Sequence, residues 1–219
     1  MIFEDRVDAG RRLAEALRKY RGEDVIVLAI PRGGVVVGFE VAESLGAPLD
    51  VIIPRKIGAP SQPELAIGAI AGDDVRVLDK ETIGYLGASD EYVDAEVERQ
   101  RKEIARRWRL YRGDRPFPAV EGKTVLLVDD GIATGYTTMA AARLLRKRRP
   151  KKLVLAVPVA PPEGAERLWP EVDELVVLEM PEPFFSVGSW YYAFEQTTDE
   201  EVIDLLHRAE ADAGTVPDA

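Results

Sequence analysis

Apolar and polar positions follow two rhythms along this chain. Residues 8–20, "DAGRRLAEALRKY", place Leu13, Leu17 and Tyr20 at i, i+4 and i+7, the spacing of one helix face. "DVIVLAI" (24–30) then runs unbroken through β-branched and aliphatic side chains, as a strand covered on both faces does. "PRGG" interrupts it. "VVVGFEVAESLGA" (35–47) predicts a helix closed by Gly46, and "LDVIIP" (49–54) a second buried strand. Within the Gly- and Pro-rich stretch "RKIGAPSQPELAIGAIAGDDVRVLDK", two short strands, "LAIGAIA" and "VRVL", meet at "GDD" as a hairpin. Residues 90–111 predict the longest helix, with Val97, Ile104, Trp108 and Tyr111 inward and alternating charges on a solvated face.

The second half repeats strand and helix. Strands are predicted at 124–129, 152–160 and 173–179, and helices at 137–149 and over "PPEGAERLWP". This alternation predicts an α/β fold: a mainly parallel, twisted sheet with helices on both faces and right-handed crossovers. "TTDEEVIDLLHRAEADAG" predicts a capped helix starting at Thr198 or Asp199, with Ile203 and Leu206 inward and His207 packed beside them; the tail "GTVPDA" is expected to fray. One domain over 1–219 accounts for all of this, with a mobile lid or hairpin at 57–88 and a C-terminal hood at 180–219.

Composition narrows the function classes. The 219 residues are 46% hydrophobic, enough for one sizeable core. The net charge of −10 argues against nucleic-acid backbones and anionic membrane surfaces as partners, while leaving room for a local basic cluster that binds a small anion. With no cysteine and one histidine, thiolate nucleophiles, Cys-based zinc sites and His-rich metal sites are excluded. The acidic start "MIFEDRVDAG" is unlike a secretory signal, and no apolar run reaches the length of a membrane span, so a cytoplasmic location is expected.

Ligands of such sheets bind beyond the carboxyl ends of the strands. Three segments fall there: Pro31–Gly34, Arg55–Lys56 and Asp129–Thr138. The last, in "VLLVDDGIATGYTT" (125–138), sets two carboxylates beside a Gly/Thr turn that opens a helix. Such a turn gathers backbone N–H groups around an anion, and Gly135 allows positive φ. Carboxylates only accept hydrogen bonds, so they suit vicinal hydroxyls or a Mg²⁺ ion held through water rather than a phosphate. A sugar phosphate satisfies both halves. Neither "GK[ST]" nor "GxGxxG" occurs in this turn, and the later strands lack the Asp and Lys of a receiver domain.

"VLLVDDGIATGYTT" resembles the phosphoribosyl-pyrophosphate signature of type I phosphoribosyltransferases. "IPRGG" resembles that family's pyrophosphate loop, and "RKIG" the cation pair before its mobile loop; the likeness covers roughly residues 20–195, in family order. The resemblance implies that Asp129 and Asp130 hold the ribose hydroxyls and Mg²⁺, and that Ala133, Thr134, Gly135, Tyr136 and Thr137 bind the 5-phosphate. It implies that Arg32, Gly33 and Gly34 wrap the pyrophosphate, with a non-proline cis peptide at Pro31–Arg32, and that Arg55 and Lys56 neutralise the leaving group under a lid at 57–72. The catalytic set would be Arg32, Arg55, Lys56, Asp129 and Asp130. Hypoxanthine-type members carry an acid where this chain has Ala133, which leaves Glu64 as the candidate base. For the acceptor, Phe185, Trp190, Tyr191 or Phe194 could stack on a planar base. The expected function is transfer of the phosphoribosyl group of phosphoribosyl pyrophosphate to a nitrogenous acceptor such as a nucleobase, with Mg²⁺ and room for a homodimer. The alternative is a sensor that binds phosphoribosyl pyrophosphate or a nucleotide without turnover.

Overall fold

The computed structural model describes residues 3–213, so the expected fraying of "GTVPDA" lies outside the described residues. In chain order the elements are α1 (Arg6–Ala16), β1 (Val25–Ala29), α2 (Gly33–Leu45), β2 (Leu49–Val51), β3 (Pro54–Ala59), β4 (Gln62–Ala71) and β5 (Val75–Leu78). They continue with α3 (Lys80–Leu86), α4 (Asp90–Arg112), β6 (Thr124–Val128), α5 (Tyr136–Lys147), β7 (Lys152–Val159), α6 (Pro162–Leu168), β8 (Glu174–Glu179) and α7 (Asp199–Ala213). Five strands form one parallel sheet in the order β2-β1-β6-β7-β8, and β3-β4-β5 form a separate antiparallel sheet.

The unbroken apolar runs are explained by burial on both faces of the parallel sheet. Successive side chains of a strand point to opposite faces. Along β1, Val25, Val27 and Ala29 join the core formed with α1, α2 and α7, whereas Ile26, Leu28 and Ile30 join the one formed with α5. Strand β6 divides the same way, Leu126 and Val128 to the first core, Val125 and Leu127 to the second. A third cluster packs α4 on the antiparallel sheet through Ile57, Ile67, Ile70, Val93 and Val97. Among the described residues, no helix is long and apolar enough to cross a membrane.

Most boundaries agree with the periodicity, including the left-handed Gly46 that ends α2 and the GDD hairpin between β4 and β5. Four details differ. Helix α1 begins at Arg6 because the Asp5 carboxylate accepts the Asp8 N–H at 2.8 Å, which brings Arg6 into the helix. Of "LDVIIP" only Leu49–Val51 pairs with β1; at Pro54 the chain enters β3, a strand the Gly-rich sequence conceals. Arg55 and Lys56 therefore stand on an antiparallel ladder, opposite Ile70 and Ala69. Helix α3 is the third difference. Finally, α7 starts at the expected cap, with Thr198 and Glu201 exchanging side-chain bonds as a capping box, but His207 lies exposed on it rather than packed inward.

Candidate functional site

β1 and β6 are neighbours, paired to their last residues at Ala29 and Val128. From β1 the chain continues to β2 on one side; from β6 it continues to β7 and β8 on the other. This reversal leaves a crevice at the carboxyl ends, where parallel sheets bind ligands. A cavity of about 490 Å³ occupies it. Arg32 and Gly33 line one wall, Asp129, Asp130 and Thr137 another, and Arg55 and Lys56 reach in from β3. Arg6 of α1 and the C-terminal residues Phe194, Gln196 and Thr197 complete the lining. The Pro31–Arg32 peptide is cis.

The acid pair is held in a polar frame. Asp129 Oδ1 accepts the Asp130 N–H at 2.8 Å, and Arg6 Nε donates to Asp130 Oδ2 at 2.7 Å. Arg6 also donates to the Glu195 carbonyl at 2.8 Å and lies 3.9 Å from the centre of the Phe194 ring, so one guanidinium joins α1, the acid pair and the C-terminal segment. Burial and the adjacent Asp130 charge push the Asp129 carboxyl well above the usual carboxylate range. Burial raises Asp130 too, but the Arg6 contact opposes it.

The two glycines of "RGG" are fixed by what they touch. A Cβ on Gly33 would sit 2.0 Å from Asp130 Oδ2 and 2.5 Å from Arg6 Nε. One on Gly34 would sit 2.9 Å from the Asp129 Cα. The N-terminus of α2 thus packs directly on the acid pair, and its first N–H groups have no partner within the helix. In the second turn, Gly135 takes φ +81° and caps α5. Ala133 and Thr134 are exposed, and Thr137 is the member of this turn that lines the cavity. The Tyr136 hydroxyl donates to Asp79 Oδ2 at 2.6 Å, away from the turn, and burial with that bond pushes it up to about 12. Tyr136 therefore has only its backbone to offer an anion.

Arg55 is the most committed cation. Its Nε donates to Gln100 Oε1 at 3.0 Å, and Gln100 in turn donates to Glu96 at 2.8 Å. Among the described residues no carboxylate pairs with Arg55, and burial, followed by repulsion from Arg107, lowers its pKa. A half-buried guanidinium without a counter-charge is set to receive an anion. Lys56 pairs with Glu64 at 2.7 Å, and Arg32 lies 3.7 Å from Asp199 at the start of α7.

Comparison with known proteins decides the family. The family described as "Phosphoribosyl transferase domain" matches residues 2–187. The chain belongs to the phosphoribosyltransferases. A Mycobacterium tuberculosis protein, named as a candidate phosphoribosyl transferase, is 45% identical over 98% of this chain and 49% of its own length. The chain thus spans about half the length of the curated relatives it matches. A ribose-phosphate pyrophosphokinase from Thermococcus kodakarensis is 53% identical over 60 residues, covering 26% of this chain and 21% of its own. The crystal structure of TT1426 from Thermus thermophilus is 44% identical and superposes with a TM-score of 0.78 over 95% of this chain and 99% of that one.

The chain brings Arg32, Gly33, Arg55, Lys56, Asp129, Asp130 and Thr137 to one cavity. Three of the expected acceptor residues do not reach it. Phe185 is 85% exposed, and neither it, Trp190 nor Tyr191 lines the cavity. Tyr191 is buried against Phe3 and Phe194, with its hydroxyl donating to the Asp130 carbonyl at 2.5 Å. Of the hood aromatics, Phe194 is the one at the cavity. Glu64 lies outside it, and its bond to Lys56 lowers its pKa, which makes it a poorer base. Arg6, Gln196 and Thr197 escape a reading of the sequence, because no local pattern separates Arg6 from the other arginines. Tyr191→Phe is expected to cost about 1 kcal/mol by freeing the Asp130 carbonyl. Thermal melting should show Tm lower by roughly 2–4 °C; an unchanged Tm would remove Tyr191 from the site's support.

Proposed function

We propose that the chain transfers the phosphoribosyl group of phosphoribosyl pyrophosphate to a nitrogenous acceptor, with a nucleobase as the expected class. The observation that carries this reading is the polarity of the cavity: acids on the β6 side, and Arg55 without a carboxylate partner on the β3 side. In the reaction the C1–O bond breaks, its electron pair leaves with pyrophosphate, and a C1–N bond forms to the acceptor, which loses a proton. Positive charge grows on the sugar while negative charge grows on the leaving group. Arg55, Lys56 and the backbone of Arg32–Gly34 stabilise the leaving end. Asp129 and Asp130 receive the ribose hydroxyls, and the 133–137 turn receives the 5-phosphate. Phe194, already flanked by Arg6, offers a face toward the acceptor.

Mg²⁺ fits the oxygen donors available. Mg²⁺ is commonly held by one or two carboxylates together with water and substrate phosphates. Asp129 and Asp130 would hold it, and it would supply charge neutralisation to the pyrophosphate. The test is pyrophosphate release from phosphoribosyl pyrophosphate and Mg²⁺ across a panel of bases and amines. Release with one acceptor supports the reading; binding with no release from any would replace the enzyme by a sensor.

A substitution at the close approach tests the same site. Gly33→Ala drives a methyl group into Asp130 Oδ2 and Arg6 Nε, both side-chain ends that can yield. The fold should survive, with Tm within roughly 2 °C of the parent. Displacing Asp130 should weaken phosphoribosyl-pyrophosphate binding about tenfold, or ~1.4 kcal/mol. Calorimetric titration with unchanged affinity would remove Asp130 from the ribose site.

A further inference from the structure

A second cavity, about 600 Å³, lies between α4, α5 and the turn joining β4 to β5, and shares no lining residue with the first. Ile104, Leu144 and the strand exit at Ile52–Ile53 give it apolar walls, and Trp108 and Phe117 lie stacked at 5.7 Å with planes 12° apart. Three arginines enter it: Arg101, Arg109 and Arg148.

Their bonding is incomplete. Arg101 bonds Glu98 with one terminal nitrogen and the Asp73 carbonyl, at 2.6 Å, with the other. Its Nε is the single buried side-chain polar atom among the described residues that has no hydrogen-bond partner. Arg148 is held 4.5 Å from the centre of the Phe117 ring; it and Arg109 are exposed, and neither forms an ion pair among the described residues. Asp73 and Asp74 also reach the cavity, Asp74 paired with Lys147 at 2.6 Å. On a chain of net charge −10, three arginines against two aspartates give this apolar and aromatic lining a net positive charge. Guanidinium forks match phosphate oxygens in pairs, and the volume is that of a small-molecule site.

We infer that this cavity binds a nucleoside monophosphate, its base against Ile104, Leu144 and the edge of the Trp108–Phe117 stack and its phosphate among Arg101, Arg109 and Arg148. The inference does not rest on the function proposed above. The test uses the full chain carrying Asp129→Asn and Asp130→Asn, which removes the ribose contacts of the first site, titrated calorimetrically with AMP, GMP, CMP, UMP and inorganic phosphate. At least one nucleotide should bind at one site per chain and at least tenfold more tightly than phosphate. Adding Arg109→Gln and Arg148→Gln should weaken that binding tenfold or more while leaving Tm without ligand unchanged. No binding by any of the four nucleotides at millimolar concentration would overturn the inference. So would binding that survives the arginine changes, inorganic phosphate binding as tightly, or loss of the fold in the quadruple variant that rescue by Arg109→Lys and Arg148→Lys does not restore.

Discussion

Asp129→Asn is expected to make the protein more stable and to abolish most of its turnover. The cause is common to both effects. Asp129 is a partly buried carboxylate beside another carboxylate, and its partner, not it, holds Arg6. Burial and the Asp130 charge raise its pKa in the folded chain, so between the ordinary and the raised value the folded chain holds more protons than the unfolded one. Stability therefore falls as pH rises from the ordinary carboxylate range through the raised value, because the unfolded state binds fewer protons there. The amide keeps an oxygen for the Asp130 N–H but carries no charge, so the gain should be on the order of 1 kcal/mol at neutral pH. That gain should shrink toward zero as pH falls below about 3.9, where the carboxyl is protonated in both states. Turnover should drop about 10²–10³-fold, the scale of losing one electrostatic group aimed at the reacting centre. Asp130→Asn should behave differently, because it strips Arg6 of its counter-charge: the same activity loss, with Tm lowered. Melting curves of both variants across pH, with pyrophosphate release in parallel, decide it. Equal Tm shifts for the two would contradict the assignment of the Arg6 counter-charge to Asp130.

The features legible in the sequence are those whose chemistry is local. A carboxylate pair at a strand end, a left-handed glycine opening a helix and a run buried on both faces each leave a mark within a dozen residues. Asp129, Asp130, Gly135 and the two cores of the parallel sheet are of this kind. What stays hidden depends on partners far along the chain. Arg6 meets Asp130 across 124 positions. Strand β3 exists because β4 pairs with it, although "RKIGA" by itself reads as loop. The hood aromatics are ambiguous for a physical reason: density of rings signals burial as readily as stacking. Tyr191 is buried because Phe3 bridges beside it, which leaves Phe194 to meet the cavity. The charged face of α4 reads as solvated, yet Glu96, Gln100 and Arg112 are buried there. "RGG" reads as a pyrophosphate loop; its glycines also make room for the acid pair.

Arg112→Ala should be the most destabilising single change at the rim of this architecture, and its effect should reach the site. The Arg112 side chain is 3% exposed and grips Asp50 with a fork, Nε to Oδ1 at 2.6 Å and Nη2 to Oδ2 at 2.8 Å. It also lies 4.3 Å from the centre of the Trp108 ring. Removing it leaves the Asp50 carboxylate half-buried and without its cation, a change that costs about 3–5 kcal/mol. In a domain of this size Tm should fall by on the order of 10 °C. Arg112→Lys keeps the charge but loses the fork, so it should fall between parent and alanine. The ion pair fastens the end of α4 to β2. Downstream of β2 the chain runs through Ile52 and Ile53 to Arg55, and further back on α4 stands Gln100, which orients Arg55. Loosening the fork should therefore let Arg55 leave its position well below the melting temperature. At 25 °C the alanine variant should bind pyrophosphate more weakly than the parent, with the 5-phosphate turn unaffected. Titration with pyrophosphate and with ribose 5-phosphate separates the two, and equal weakening of both would mean that the loss is global rather than transmitted to Arg55.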